Sequence, residues 1–454
     1  MTIFGKTVRA ISLTSCFWGL TLAGAADLAP APSSPPTPPQ ATTCPAPLAA
    51  IARCYKGQDG VGAFYWIAIP AQWNQVLVAH AHGGPELGAP RAERTEEDLK
   101  RWAVTVKAGY AWVGSTYRRG GYGVTVAAED TERVRQIFVQ YFGQPRRTLL
   151  HGQSYGGGVA SKAIELLATS HNGKSPYDGV LLTSAVLGGG AVVYNFRLDL
   201  RVVYQYICQN HPKADEPPYP LWMGLPKGAT VSRAELAQRV DDCTGLRLPP
   251  AQRSAAQQQR LSDILNVVKI PERSLLGHLN WATWLFEDLV QHRLQGRNPF
   301  ENEAVVYKGS SNDAALNKGV LRYAADPVAV ALLAADSQPT GRLPVPTLSL
   351  HAINDPTAFV ELESNYRDVV ASAGQADRLV QVFSNEAEHS YLSEPQYPAL
   401  LTALMDWIDK GTRPTPQQVA ALCEGYRATY GSTCHLQPDY QSPPLAQRVA
   451  PRRP

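Results

Sequence analysis

Residues Arg147 to Ala160, RTLLHGQSYGGGVA, limit what this chain can fold into more than any other stretch. A short apolar run, Thr148-Leu149-Leu150, meets Gly152-Gln153-Ser154-Tyr155-Gly156, and after Gly157 and Gly158 the residues Val159 to Leu167 have helical spacing. A strand that enters a helix through G-x-S-x-G lifts the serine onto a sharp bend at the strand's carboxyl end. The two motif glycines allow a turn in which a Cβ would clash. An ordinary glycine-rich turn would spell the same letters, so Ser154 needs partners before it reads as a nucleophile.

The surrounding pattern supplies a frame for it. Ala63–Ile69, Gln75–Ala81, Tyr110–Ser115, Gly179–Ala185, Thr347–Leu350 and Leu379–Phe383 are apolar runs of strand length. Between them, Glu97–Ala108, Ala127–Phe142 and Pro398–Ile408 carry apolar residues at helical spacing. Continuous apolar strands alternating with helices predict an α/β fold with a mostly parallel sheet covered on both faces. The pattern lapses after Gly190 and resumes at Thr347. The expected division is a first core part at 49–190, a largely helical cap or lid at 191–343, a second core part at 344–412 and a C-terminal extension at 413–454.

Serine becomes a nucleophile when a histidine takes its proton and an acid orients that histidine. In this topology the order is serine, acid, histidine, each on a loop after a strand. Asp355 follows the strand ending at His351, with Glu361 and Glu363 as fallbacks, and His389 follows the strand ending at Phe383. His351 competes with His389 and reads as packing beneath the site. The oxyanion of a tetrahedral intermediate requires fixed N–H donors. Tyr155, just after the serine, and Gly83 and Gly84 in His82-Gly83-Gly84 are the candidates.

Other chemistry fits less well. Gly156–Lys162 lacks the Gly-Lys ending of a phosphate loop. His80 and His82 share a strand face by alternation, with no third metal ligand evident. The formal net charge is +3, and Lys6 and Arg9 of that balance lie in a leader, which argues against nucleic acid. Residues 1–25 read as an export signal, with Ala10–Leu22 as its apolar part and Ala23-Gly24-Ala25 as its cleavage site. Cys16 superficially fits a lipoprotein box but lies too close to Arg9. Residues 26–48 read as a Pro-rich linker that makes no packed core, with order beginning near Ala49, and the basic end Arg448–Arg453 reads as a solvated tail. No later stretch reaches the ~18 apolar residues of a spanning helix, so the mature chain is expected to be soluble. Cys44, Cys54, Cys208, Cys243, Cys423 and Cys434 form an even set in an exported chain, which suggests disulfides. Proximity favours the pairs 44–54, 208–243 and 423–434.

On HGG at 82–84, GQSYG at 152–156, Asp355 and His389, the chain resembles the α/β-hydrolase family over roughly Ala63–Leu187 and Pro346–Lys410. Within it, His389-Ser390-Tyr391 followed by Glu394 is similar to exported bacterial serine esterases. The resemblance implies a Ser154 nucleophile, a His389 base, an Asp355 acid, a backbone oxyanion hole and no cofactor. The cap matches no motif, so the choice of substrate is not carried over; the expected partner is a small or oligomeric ester. A serine exopeptidase is the alternative, in which Glu386 and Glu388 would bind a substrate ammonium. A hydrolase-like binding protein is a third reading. The oligomeric state is not legible.

Overall fold

The computed structural model describes residues 37–170, 173–431 and 433–452. The expected export signal with Cys16, the first part of the 26–48 linker and Arg453 lie outside the described residues. Nine strands form one sheet: β1 (Gln40–Thr42), β2 (Ala52–Gln58), β3 (Phe64–Pro70), β4 (Val76–Ala81), β5 (Ala111–Ser115), β6 (Arg147–Gln153), β7 (Gly179–Thr183), β8 (Thr347–Ala352) and β9 (Leu379–Ser384). Their order is β1-β2-β3-β5-β4-β6-β7-β8-β9. The pairings from β1 to β5 are antiparallel, and those from β5 across β4, β6, β7 and β8 to β9 are parallel. Strands β4, β7 and β8 are buried throughout, which is why they read as unbroken apolar runs.

The helices before β7 are α1 (Glu93–Arg101), α2 (Ala103–Lys107), α3 (Val124–Phe142) and α4 (Tyr155–Ser170). Between β7 and β8 come α5 (Gly189–Cys208), α6 (Arg233–Thr244), α7 (Ala255–Val268), α8 (Leu275–Asn280), α9 (Asp313–Gly319) and α10 (Pro327–Ser337). After β8 come α11 (Glu361–Ser372), α12 (Gln396–Lys410) and α13 (Pro416–Tyr430). The helix expected at Glu97–Ala108 is two helices, because the chain bends at Trp102, whose buried ring packs edge-on against His151 and Tyr397. One face of the sheet is covered by α3, α4 and α11, and the other by α2, α12 and α13.

The chain between β7 and β8 is helical, with no strand among its described residues. Its buried Tyr194, Leu279, Phe286 and Phe300 belong to the same apolar cluster as Leu77 and Val159 of the core. The chain between β7 and β8 thus shares one apolar cluster with the sheet and its helices. Asp336 at the end of α10 accepts from the N–H groups of Val124 and Thr125, both at 3.0 Å, and so caps α3 of the core.

Two expectations are corrected. Order begins before Ala49: β1 pairs with β2, Leu48 is fully buried, and Cys44 is bonded to Cys54. A Pro-rich segment can form a short edge strand, where missing N–H donors do no harm. In the C-terminal extension, Leu436 pairs with Ser384 and covers the outer edge of β9. The basic end is not a solvated tail: Arg448 pairs with Glu361 at 3.1 Å and Arg452 with Asp199 at 2.7 Å. Asp199 is buried on α5, and a buried carboxylate requires such a counter-charge. The three disulfides are Cys44–Cys54, Cys208–Cys243 and Cys423–Cys434, the pairs that proximity favours.

Candidate active site

Ser154 stands between β6 and α4 with φ 56°. This left-handed backbone is unfavourable for serine, so something must hold it. Its N–H donates to Thr183 O at 3.0 Å, and its carbonyl accepts from Val186 N–H at 2.9 Å and Gly157 N–H at 2.9 Å. The neighbouring strand β7 and the loop after it thus clamp the bend. A Cβ on Gly152 would lie 2.3 Å from Gly156 O, and one on Gly156 would lie 2.0 Å from Ala81 O. Both glycines are demanded by the close approach of backbones.

The carboxyl ends of β8 and β9 bring the other side chains to it. His389 Nε2 lies 2.8 Å from Ser154 Oγ, and His389 Nδ1 lies 2.7 Å from Asp355 Oδ2. The second oxygen of Asp355 accepts from the N–H groups of Thr357 at 2.8 Å and Ala358 at 2.9 Å. The carboxylate is thereby oriented, and with Nδ1–H facing it, Nε2 is left as an acceptor for the serine proton. The side chain of Asp355 is fully buried and that of His389 is 18% exposed. Three residues from distant parts of the chain therefore meet in one hydrogen-bonded line.

Tyr155 opens α4, where N–H groups have no acceptor within the helix. The Cβ position of Gly156 is 2.6 Å from His82 O, so the HGG turn presses directly on this first helical turn. Gly84 has φ 73°, and a Cβ on Gly83 would meet Gln153 Oε1 at 2.1 Å. Below the turn, Arg94 Nη2 donates to Gly83 O at 2.9 Å and pairs with Asp98 at 3.2 Å. Burial pushes the Asp98 carboxyl up to about 7, against the pull of Arg94 and Arg101.

The remaining candidates have other duties. Glu363 accepts from Ser349 Oγ at 2.7 Å and from Gln381 Nε2 at 2.6 Å, and it holds His351 Nδ1 at 3.1 Å. Burial works to lower the His351 pKa, but the hydrogen bond and charge of Glu363, with Asp355, outweigh it and the pKa is raised. His351 sits under the site with Nε2 2.8 Å from Ala358 O, steadying the turn that carries Asp355. Glu361 is taken by Arg448. Strand β4 ends at Ala81, so alternation does not extend to His82: His80 packs against His151 and Trp102, while His82 stacks on Tyr117. Glu386 braces its own loop, accepting from Ser393 N–H at 3.0 Å and Gln396 Nε2 at 2.7 Å, and Glu388 is exposed.

Sequence reading missed three contacts here. Gln153 Nε2 donates to Ser390 Oγ at 2.6 Å, joining the residue before the serine to the residue after the histidine. From the cap, His278 Nε2 donates to Pro356 O at 3.0 Å, and Arg273 donates to Ala387 O. Burial, then the charge of Arg197, pulls the His278 pKa down to about 3, so it is a neutral donor. No sequence signal marks these residues, because cap and loops meet only in space.

The mostly parallel sheet, with Ser154 after β6, Asp355 after β8 and His389 after β9, decides the architecture. The fold is of the α/β-hydrolase type. No family model matches the sequence, and no curated protein matches it. Among solved structures, this α/β-hydrolase-type chain is similar to feruloyl esterase B from Aspergillus oryzae (13% identity, 80% of this chain and 81% of that chain, TM-score 0.42). It is similar to lipase A from Candida antarctica at 12% identity, with 84% and 83% covered and a TM-score of 0.43. It is similar also to the rice cell wall degrading esterase LipA from Xanthomonas oryzae at 15% identity, with 78% and 92% covered and a TM-score of 0.38. These likenesses are remote.

Proposed function

We propose that the protein is a serine hydrolase that cleaves carboxylic esters through an acyl-enzyme. The observation that carries this reading is the continuous line from Ser154 Oγ through His389 to Asp355, at 2.8 and 2.7 Å. Ser154 Oγ attacks the ester carbonyl as His389 Nε2 takes its proton, and Asp355 stabilises the imidazolium that forms. The N–H of Tyr155, with those of Gly83 and Gly84, receives the oxyanion at the amino end of α4, where the helix dipole favours negative charge. Collapse expels the alcohol with the proton from His389. Water then attacks the acyl-enzyme by the same route in reverse roles.

The exopeptidase alternative has less support, since Glu386 is engaged within its loop and no ammonium-binding pair forms with Glu388. Three disulfides favour an oxidising compartment outside the cytoplasm. Among the described residues, no helix is long and apolar enough to cross a membrane. A fluorophosphonate probe should label Ser154, and Ser154→Ala should lose label and lower aryl-ester turnover on the order of 10⁶-fold while its circular dichroism is retained. Turnover surviving in that variant sinks the assignment.

A further inference from the structure

The cap holds a cation without an anion. Arg197 on α5 is 2% exposed. Its Nη1 donates to Val193 O at 3.1 Å, and its Nε has no partner among the described residues. Its guanidinium lies 4.6 Å from the ring centres of Phe196 and Trp281 and 5.3 Å from that of Tyr194. Burial draws its pKa down to about 10, and the groups acting against that are the hydroxyls of Tyr194 and Tyr122 rather than a carboxylate. Burial raises both of those hydroxyls, so they stay neutral and Arg197 stays charged at neutral pH.

Of the other buried guanidinium groups, Arg94 has Asp98 and Arg239 has Glu216 and Glu235, whereas Arg201, also on α5, donates only to the Tyr219 hydroxyl and the Gly224 carbonyl, both at 3.3 Å. Cation–π contacts with three rings offset part of the desolvation of Arg197, but a dry guanidinium ordinarily demands a carboxylate as well. A purely packing role would be served by a methionine or leucine without that penalty.

The position of Arg197 ties it to the reaction. From the nucleophile side, the Tyr155 ring lies 5.5 Å from Tyr122, which lies 5.1 Å from Tyr194 against the guanidinium. From the acid side, Phe196 meets His278 edge-on at 5.2 Å, and His278 donates to Pro356 O next to Asp355. The cation is therefore bracketed by the neighbours of Ser154 and of Asp355. Trp281 begins a π-helical stretch, Trp281–Leu285, a distortion that recurs at functional sites.

We propose that Arg197 is the anion-recognising residue of the substrate pocket, and that the ester cleaved at Ser154 carries a carboxylate that this guanidinium binds. The inference rests on the serine-hydrolase reading and deepens it. The planar fork of Arg197 offers two parallel N–H donors to a carboxylate. The walls of Phe196, Trp281 and Tyr194 exclude water from that pair, which strengthens it and fixes the ester relative to Ser154. No bond is made or broken at Arg197, so its role is specificity and positioning.

The test compares esters matched in size. Turnover is followed by pH-stat for ethyl valerate against monoethyl glutarate, which places the carboxylate on the acyl side. Propyl butyrate against 3-butyryloxypropanoate places it on the alcohol side. The wild type should favour one of the carboxylate-bearing esters by about 10-fold or more in kcat/KM, as expected of a site built around a buried polar group. Arg197→Met should bring that ratio close to one, chiefly through KM of the anionic ester, and Arg197→Lys should restore part of it. A wild type with no preference in either pair, or an Arg197→Met variant that leaves the ratio unmoved, overturns the proposal. Failure of the wild type on all four esters, with no fluorophosphonate labelling, strikes the hydrolase reading instead. If Arg197→Met does not fold, the wild type still decides: glutarate should slow labelling of Ser154 more than valeramide does, and equal effects overturn the proposal.

Discussion

At the carboxyl edge of the sheet, both nitrogens of His389, both oxygens of Asp355 and the hydroxyl of Ser154 have partners within 3 Å. In the cap a few residues away, Arg197, Arg201 and His211 are equally buried, yet each keeps a nitrogen with no partner among the described residues. Both regions share one apolar core. The edge is complete without a ligand, as electrostatic preorganisation requires of a reacting centre. In the cap, Arg197 has three aromatic rings about its guanidinium and an Nε without a partner among the described residues.

The comparison breaks first at the edge if the triad is not one unit. Asp355→Asn keeps the shape but loses the charge facing His389 Nδ1, and kcat for an ester should fall on the order of 10⁴-fold with little change in KM. A drop below about tenfold, measured under saturating substrate, would mean that the imidazole is oriented by something else. Next comes the elbow itself. Gly156→Ala forces a methyl to within 2.0 Å of Ala81 O, and the adjacent chain is sheet backbone that cannot yield. Urea denaturation should show a loss of about 3 kcal/mol or more, and an unchanged midpoint would show that the turn is looser than its geometry.

The third and smallest effect sharpens the contrast beneath the HGG turn. Asp98 has a folded pKa of about 7, above the ordinary carboxylate value near 4. Between those values the folded chain binds more protons than the unfolded one, so this group makes stability fall as pH rises through the window. Asp98→Asn should remove that slope. The stability difference between wild type and variant, from urea melts at pH 5 and pH 8, should shift by about 1–3 kcal/mol in the variant's favour at the higher pH. A difference independent of pH would show that Asp98 is ionised throughout, paired fully with Arg94.

Much of the edge was legible because each of its residues is announced by what precedes it. Ser154, Asp355 and His389 all follow apolar strands, and in a parallel sheet every strand that returns in the same direction delivers its loop to the same side. β2 escaped notice because ARCYKGQ on a sheet margin has no buried alternation to betray it. Helix α13 escaped although Thr415 and Gln418 form a capping box with Pro416 inside it, a start signal that could have been read. The basic end looked solvated because a run of arginines is silent about carboxylates such as Asp199, more than two hundred residues away.

The one-dimensional pattern by itself determined the covered parallel sheet, the bent serine and the order of its partners, because period and glycine placement act over a few neighbouring residues. Only the tertiary structure decided that Gln40–Thr42 join the sheet, that the basic end is tied to α5, that Glu363 serves His351 rather than His389, and that Arg197 has rings about it and no acid. Those outcomes depend on which charges end up dry and beside one another, and desolvation is set by the whole packed body rather than by any local run of residues.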